Sequence, residues 1–262
     1  MAEQQIRFED GAGYERMMGV WSRLAGDIFL DWVAPKPGLK WIDIGCGNGA
    51  FTELIVDRCA PAEVQGVDPS EGQLAFARKR PAARLAQFHQ GDAMKLPFAD
   101  RSFDAATMAL VIFFVPDPVK AMAEMARVLK PGGIGAAYAW DIEGGGFPLD
   151  AMLAQIRAIG KTPMQPPSVS AARTESLRKL WTDAGFRDLE TRVIKVQRDF
   201  ADFEEFWATV LLSPSSGKMI AALPPADQER FKSGVRARLP LDPAGRIVYA
   251  AFANAIKGRL PA

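Results

Sequence analysis

Histidine, cysteine and net charge are all scarce in this chain, and each shortage closes off a class of chemistry. The single histidine, His89, falls inside a strand-like run, where it reads as a structural residue rather than a general base. Two cysteines, Cys46 and Cys59, make no metal or redox motif, and reduced thiols of this kind suit a cytoplasmic protein. A formal net charge of +1, from 32 Lys plus Arg against 31 Asp plus Glu, leaves no general pull towards nucleic acid or an anionic membrane. No apolar run reaches the roughly 18 residues of a membrane-spanning helix. Met1 to Asp10 is polar and mixed in charge, unlike a secretory signal. What remains, 48% hydrophobic and 24% charged over 262 residues, suits one large domain with elaborations.

The stretch Trp41-Ile42-Asp43-Ile44-Gly45-Cys46-Gly47-Asn48-Gly49-Ala50-Phe51 reads as a buried strand, a glycine turn and the start of a helix. Three missing Cβ atoms let a ligand approach the backbone, and the amides at the helix start point into the turn. Asp43 decides which ligand. A pyrophosphate would be repelled by a carboxylate here, and G-x-G-x-G is not the dinucleotide spacing G-x-G-x-x-G. S-adenosylmethionine (SAM) fits better: its ammonium and sulfonium favour a nearby carboxylate, and its own carboxylate can take the turn's amides. The plain alternative for Asp43 is a helix cap or a buried structural ion pair.

Asp43 to Gly49, together with the chain from there to about Trp140, resembles class I SAM-dependent methyltransferases, in particular the small-molecule group that includes the ubiquinone and menaquinone biosynthesis enzymes. The resemblance implies a Rossmann-like α/β fold: a seven-stranded, mostly parallel sheet with helices on both faces, an antiparallel closing strand and helical lid inserts. It also implies roles for residues further along. Glu63 to Asp68 is the second strand, and the two acceptor oxygens of Asp68 suit the ribose hydroxyls. That contact alone does not exclude NAD, which uses it too. Pro69 comes next; Ser70 is an N-cap for a helix from Glu71 to Arg80, with Gln73 and Leu74 leaning on the adenine. Gly91-Asp92-Ala93-x-x-Leu96-Pro97-Phe98 matches the family pattern, placing Asp92 on the adenine amino group and the Ala93 amide on a ring nitrogen. Without the resemblance Asp92 is a turn residue. Ala109 and Leu110, ending the fourth strand, face the methionine part, while Asn48 belongs to the turn itself. Tyr14, Met18 and Trp21 form a cluster upstream of the first strand, and two readings stand side by side for it: Tyr14 and Trp21 fold over the cofactor, or the segment packs on the sheet.

Many relatives carry histidine or tryptophan where this chain has Phe113-Phe114, so no general base is nominated and no metal is expected. There is no Asn-Pro-Pro-Tyr sequence after the fourth strand, which speaks against an amino-directed nucleic-acid methyltransferase. Arg78, Lys79, Arg80 and Arg84 read as a solvated helix end. Residues 118–130 have a helical apolar stripe, Lys130 to Gly133 a stop and turn, and Ile134 to Trp140 a fifth strand. Five strands separated by helices imply a parallel sheet covered on both sides. The expected organisation is one methyltransferase domain: an N-terminal helical segment (1–37), a SAM-binding core (38–140), an insert with a helix and the sixth strand (141–200), a helical lid (201–245) broken at Pro214, Pro224 and Pro225, and a closing strand with tail (246–262). The last is read as a strand because Ile247, Tyr249, Ala251 and Ala253 alternate.

The leading reading is methyl transfer from SAM to a small, apolar or aromatic molecule, with the acceptor under a lid made of residues 142–170 and 200–245 and walled by Phe113, Phe114, Trp140, Phe203, Phe206 and Trp207. An NAD-dependent oxidoreductase and a non-catalytic SAM-binding protein are the alternatives. Neither nucleic acid nor membrane is expected as a partner, and the 200–245 helices leave a homodimer contact open.

Overall fold

The computed structural model describes residue 13 and residues 15–262; Tyr14, one of the expected cofactor contacts, lies outside the described residues. A π-helical turn, Glu15–Gly19, runs directly into helix α1, Val20–Val33. Then strands and helices alternate: β1 Lys40–Ile44, α2 Ala50–Cys59, β2 Glu63–Asp68, α3 Glu71–Ala77, β3 Ala86–Gln90, β4 Phe103–Ala109, α4 Pro118–Val128 and β5 Leu129–Trp140. The later half adds α5 Asp150–Ala158, α6 Thr174–Asp183, β6 Arg187–Phe200, α7 Phe203–Val210, α8 Pro214–Ala221, α9 Pro225–Arg236 and β7 Ile247–Arg259.

One seven-stranded sheet has the order β3-β2-β1-β4-β5-β7-β6. The first five strands are parallel, and β7 alone runs antiparallel to its neighbours β5 and β6. Strand β1 therefore sits centrally, and the order reverses beside it, between β1 and β4. In open α/β sheets this is where ligands bind, beyond the carboxyl ends of the strands. The central strands are near-continuous apolar runs because both faces are covered: Trp41, Ile42, Ile44, Ala105 and Met108 have no exposed surface.

Local chemistry sets most boundaries. Ser70 Oγ accepts the Gln73 amide, Asp117 Oδ1 the Lys120 amide and Asp202 Oδ1 the Glu205 amide, each capping a helix start. Pro118, Pro214 and Pro225 sit in the first turns of their helices, where no amide is needed. Gly185, at φ +93°, comes after α6 as expected of a C-terminal stop.

Three expectations need correction. Helix α3 ends at Ala77 rather than Arg80, and the chain passes through a turn into a 3₁₀ segment starting at Pro81. Residues 130–133 are not a free turn but a bulge within β5: Leu129 pairs with Phe103 and Ile134 with Ala105. The chain's tail holds the bulge, since Gly132 N donates to Pro261 O and Leu260 N to Gly133 O. Helix α5 was not expected. Its buried Ala151, Met152, Gln155 and Ile156 keep a helical period that the neighbouring glycine and proline clusters obscured.

Tight packing against the sheet is clearest at Gly135, where an added Cβ would lie 2.4 Å from the ring of fully buried Phe186, in the connection from α6 to β6. Gly135→Ala is expected to destabilise the fold by about 1–3 kcal/mol through overpacking, measured by urea unfolding. A loss below about 0.5 kcal/mol would mean that Phe186 shifts freely and the contact is not a constraint.

Candidate functional site

The glycine turn lies where the sheet order reverses. Val67 O at the end of β2 accepts both the Gly45 amide (2.7 Å) and the Cys46 amide (3.0 Å), so the turn is pinned to its neighbouring strand. Gly45, Gly47 and Gly49 all have positive φ, at +74°, +52° and +79°. Crowding at the three differs. A Cβ on Gly45 would meet the Val111 side chain at 2.4 Å and one on Gly49 would meet Ala77 at 3.0 Å, whereas above Gly47 no atom of the described residues lies within 4 Å. Gly47 thus has an open side, where a ligand can reach the backbone.

Asp68 joins the turn directly. Its Oδ2 accepts the Gly47 amide at 2.9 Å and its Oδ1 the Ser70 amide at 2.9 Å. Burial pushes its carboxyl up from the ordinary range, and these two amides pull the other way. Each oxygen keeps a further lone pair, so two hydroxyls can still be accepted. The end of β3 is tied alongside, through Gly91 N to Asp68 O at 3.1 Å. On the other side Leu110, at φ +63°, donates its amide to Tyr138 O and places Val111 against Gly45. The carboxyl ends of four strands therefore converge on the turn.

Several expected contacts stand differently from their sequence reading. Asp43 has no exposed surface; it lies beneath the turn, accepting the Thr52 hydroxyl at 2.6 Å and the Thr107 hydroxyl at 3.5 Å. Its effect on a bound cation is through the field, not across an open surface. Desolvation pushes its carboxyl up to about 7, against the two hydroxyls. Cys46 is held well above the usual thiol range by burial and by the charges of Asp43 and Asp68. Gln73 and Leu74 are buried at 4% and 0% exposure, which turns Leu74 into the core. Pro69 is exposed, with its carbonyl taking Gln90 Nε2. Asp92 caps its own turn by accepting the Met94 amide, and Ala93 beside it is partly buried. Trp21 is 1% exposed and packs edge-on against Tyr249, 6.3 Å between centroids, which favours the packing reading. His89 bonds Gln65 at 2.6 Å and stacks edge-on with Phe98, a structural role. Of the expected acceptor walls, Phe113, Trp140, Phe203 and Phe206 are core residues; Phe114 and Trp207 keep some exposure.

Thr52, Thr107 and Glu15 were not singled out, and Arg80 was not expected near the glycine turn. Arg80, read as part of a solvated helix end, has a side chain only 11% exposed and donates to Asn48 O, Glu53 and Glu15. A Thr nine positions after Asp43 in the first turn of α2 was the only available signal for Thr52. Among the described residues no group of His, Cys, Asp or Glu could hold a metal ion, and no helix is long and apolar enough to cross a membrane.

The donor set matches a cationic nucleoside: open backbone at Gly47, a carboxylate at the end of β2 and a second carboxylate under the turn. Residues 42–137 match the family model for a methyltransferase domain. A demethylmenaquinone methyltransferase from Renibacterium salmoninarum is 31% identical over 201 residues, covering 70% of this chain and 81% of that protein. A ubiquinone/menaquinone biosynthesis C-methyltransferase from Paracoccus denitrificans is 40% identical over 122 residues, 45% of this chain; as with the other curated relatives matching at this level, the match spans about half of the relative's length, here 48%. Among solved structures, Haemonchus contortus phosphoethanolamine N-methyltransferase 2, in complex with SAM, superposes with a TM-score of 0.59 at 20% identity, covering 95% of this chain and 56% of that one, a likeness of fold.

Two substitutions test the site. Asp68→Ala is expected to weaken S-adenosylhomocysteine binding by about 1–3 kcal/mol in isothermal titration, with the fold retained; unchanged affinity would remove Asp68 from the site. Asp43 keeps its proton in the folded state up to about 7, whereas the unfolded chain gives it up near the ordinary value of 3.8. The unfolded state then binds fewer protons between those values, so Asp43 lowers stability as pH rises through that window, and the loss levels off above it. Asp43→Asn removes this slope. The wild-type-minus-Asp43→Asn difference in unfolding free energy should fall from about pH 4 to about pH 7 and then flatten; a flat difference throughout would mean Asp43 is ionised in the fold. The glycine-turn motif, the sheet order and a relative 31% identical over 81% of its own length together place the chain in the family of class I SAM-dependent methyltransferases.

Proposed function

We propose that this protein transfers the methyl group of SAM to a carbon of a small, apolar or aromatic molecule of the quinone-ring type. The observation that carries the proposal is the open backbone at Gly47 flanked by the Asp68 carboxylate, which suits the cofactor. The relatives' own substrates support the acceptor class: a demethylmenaquinone methyltransferase matches most of this chain. The shared core does not select the acceptor by itself, because a sterol 24-C-methyltransferase from Gibberella zeae is also 39% identical over 109 residues. Selection then falls to residues outside that core.

When bound, SAM supplies an electrophilic methyl group on its sulfonium. The chain's part is to hold, align and exclude water. Gly47 and Asp68 hold the nucleoside end, Asp43 adds a negative field beneath the turn, and the segment from Glu15 to Trp21 packs on β6 and β7 beside it. Alignment alone can contribute about 7–11 kcal/mol. The acceptor pocket is read as lying between the end of β4 and the inserts, with Phe114 and Trp207 as walls; Phe113, Trp140, Phe203 and Phe206 support it from the core. Nicotinamide chemistry finds no support beside these features.

Incubation with methyl-labelled SAM and a reduced naphthoquinone that carries a short side chain and no substituent at the neighbouring ring carbon is expected to give a ring-methylated product by mass spectrometry, a ring proton being lost to solvent. Titration with NADH should give no heat. Binding of SAM without transfer to any apolar ring would favour a non-catalytic SAM-binding protein. Phe114→Ala is expected to raise KM for the ring acceptor, by about 1–2 kcal/mol in kcat/KM for lost apolar burial, with S-adenosylhomocysteine affinity unchanged; an unchanged KM would take Phe114 out of the pocket.

A further inference from the structure

Arg80 uses its guanidinium in three directions. Nε donates to Asn48 O at 2.7 Å, Nη1 to Glu53 Oε2 at 2.9 Å and Nη2 to Glu15 Oε2 at 2.5 Å. The fork is rigid and planar, so fixing two of its directions sets the third. Its fourth neighbour is the Phe76 ring, 5.3 Å from the guanidinium carbon. Glu15 Oε2 also accepts from Asn48 Nδ2 at 2.8 Å. Asn48, which lies between two positive-φ glycines, is thereby held at its carbonyl by Arg80 and at its side-chain amide by Glu15. Glu15 belongs to the π-helical turn ahead of α1, 65 positions from Arg80 and 33 from Asn48.

The same turn is held again on its other side. Arg198 of β6 donates to the carbonyl oxygens of Arg16 and Met17, 3.3 Å each, with its own guanidinium over the Phe200 ring. Single π-helical turns are rare and favour functional places. The shared carboxylate of Glu53 also pairs with Arg23 in α1 at 3.3 Å, so the strap, the start of α1 and the helix after the glycine turn form one charged network.

We propose that Arg80 is a positioning residue for the cofactor turn, latching the N-terminal strap across it through Glu15 so that this ion pair sets how long the cofactor stays bound; this rests on the reading of the turn as the SAM site. Arg80 keeps Asn48 in register for the backbone at Gly47, and Glu15 joins the cover to the same residue. Breaking the Glu15 arm alone leaves the Arg80 bonds to Asn48 and Glu53 in place, which separates the latch from simple helix bracing.

Two readouts on the full chain test it, and the first needs no cofactor. Trypsin cleavage after Arg16 and Arg23 is tracked in the cofactor-free protein. S-adenosylhomocysteine release is measured by stopped flow. Glu15→Gln is expected to speed strap cleavage and cofactor release about tenfold each, with the melting temperature unchanged. Arg80→Lys, which keeps the charge but loses the fork, should do the same, and the double variant should go no further than Arg80→Lys alone because the two residues act through one contact. Rates for Glu15→Gln within about twofold of wild type, or additive effects in the double variant, would overturn the latch. Failure of the wild-type protein to bind S-adenosylhomocysteine would count against the cofactor reading instead, while the cleavage rates still judge the latch.

Discussion

Three positive-φ residues within five, between a buried strand and a helix, constrain everything around the site. Val111 fills the space at Gly45, Ala77 the space at Gly49, and among the described residues nothing fills the side over Gly47. Val111 is placed by Leu110, which itself takes a left-handed conformation uncommon for a residue with a Cβ. The end of β4 and the end of β1 are thus fitted to each other, and the double acceptor at Val67 fits β2 to both.

Beneath the turn, Asp43 is a carboxylate with no water contact, and such a group is costly unless hydrogen-bonded or neutral. Thr52 and Thr107 answer the first need and the raised pKa the second. A group held near neutrality in the ligand-free fold becomes more readily ionised when a cation arrives above it, since an opposite charge favours the charged form. Asp68 stands differently: each of its oxygens accepts one backbone amide, from Gly47 and from Ser70, and keeps a further lone pair.

On the proposed function, the cofactor turn and the acceptor walls fall in different parts of the chain. The matched core, residues 42–137, contains the turn, Asp68 and the ends of β3 and β4. The helices after β5 and β6 and the strap before β1 lie outside it. Helices α1, α5 and α7 meet on one face of the sheet at Tyr249, which touches both Trp21 and Phe206 and whose hydroxyl accepts the Ala151 amide at the start of α5. One tyrosine on the closing strand therefore gathers the N-terminal helix, the first insert and the second insert.

Local pattern determined the strands, the glycine turn, most helix caps and the closing strand of this protein, because alternation, 3.6-residue spacing and the turn chemistry of glycine and proline all act within a few residues. From the same pattern came the choice of SAM over a dinucleotide, through Asp43 and the glycine spacing. Only the tertiary structure decided that Asp43 lies under the turn, that Trp21, Trp140 and Phe206 are core, and that Arg80 is a brace and not a solvated end. Those outcomes depend on partners far away along the chain, such as Glu15 for Arg80, 65 positions off, and Tyr138 for the carbonyl of Ser22, 116 positions off. No local period encodes such a pairing; it exists only once the sheet order has brought the carboxyl ends of β1, β2 and β4 together and burial has made each unpaired charge costly.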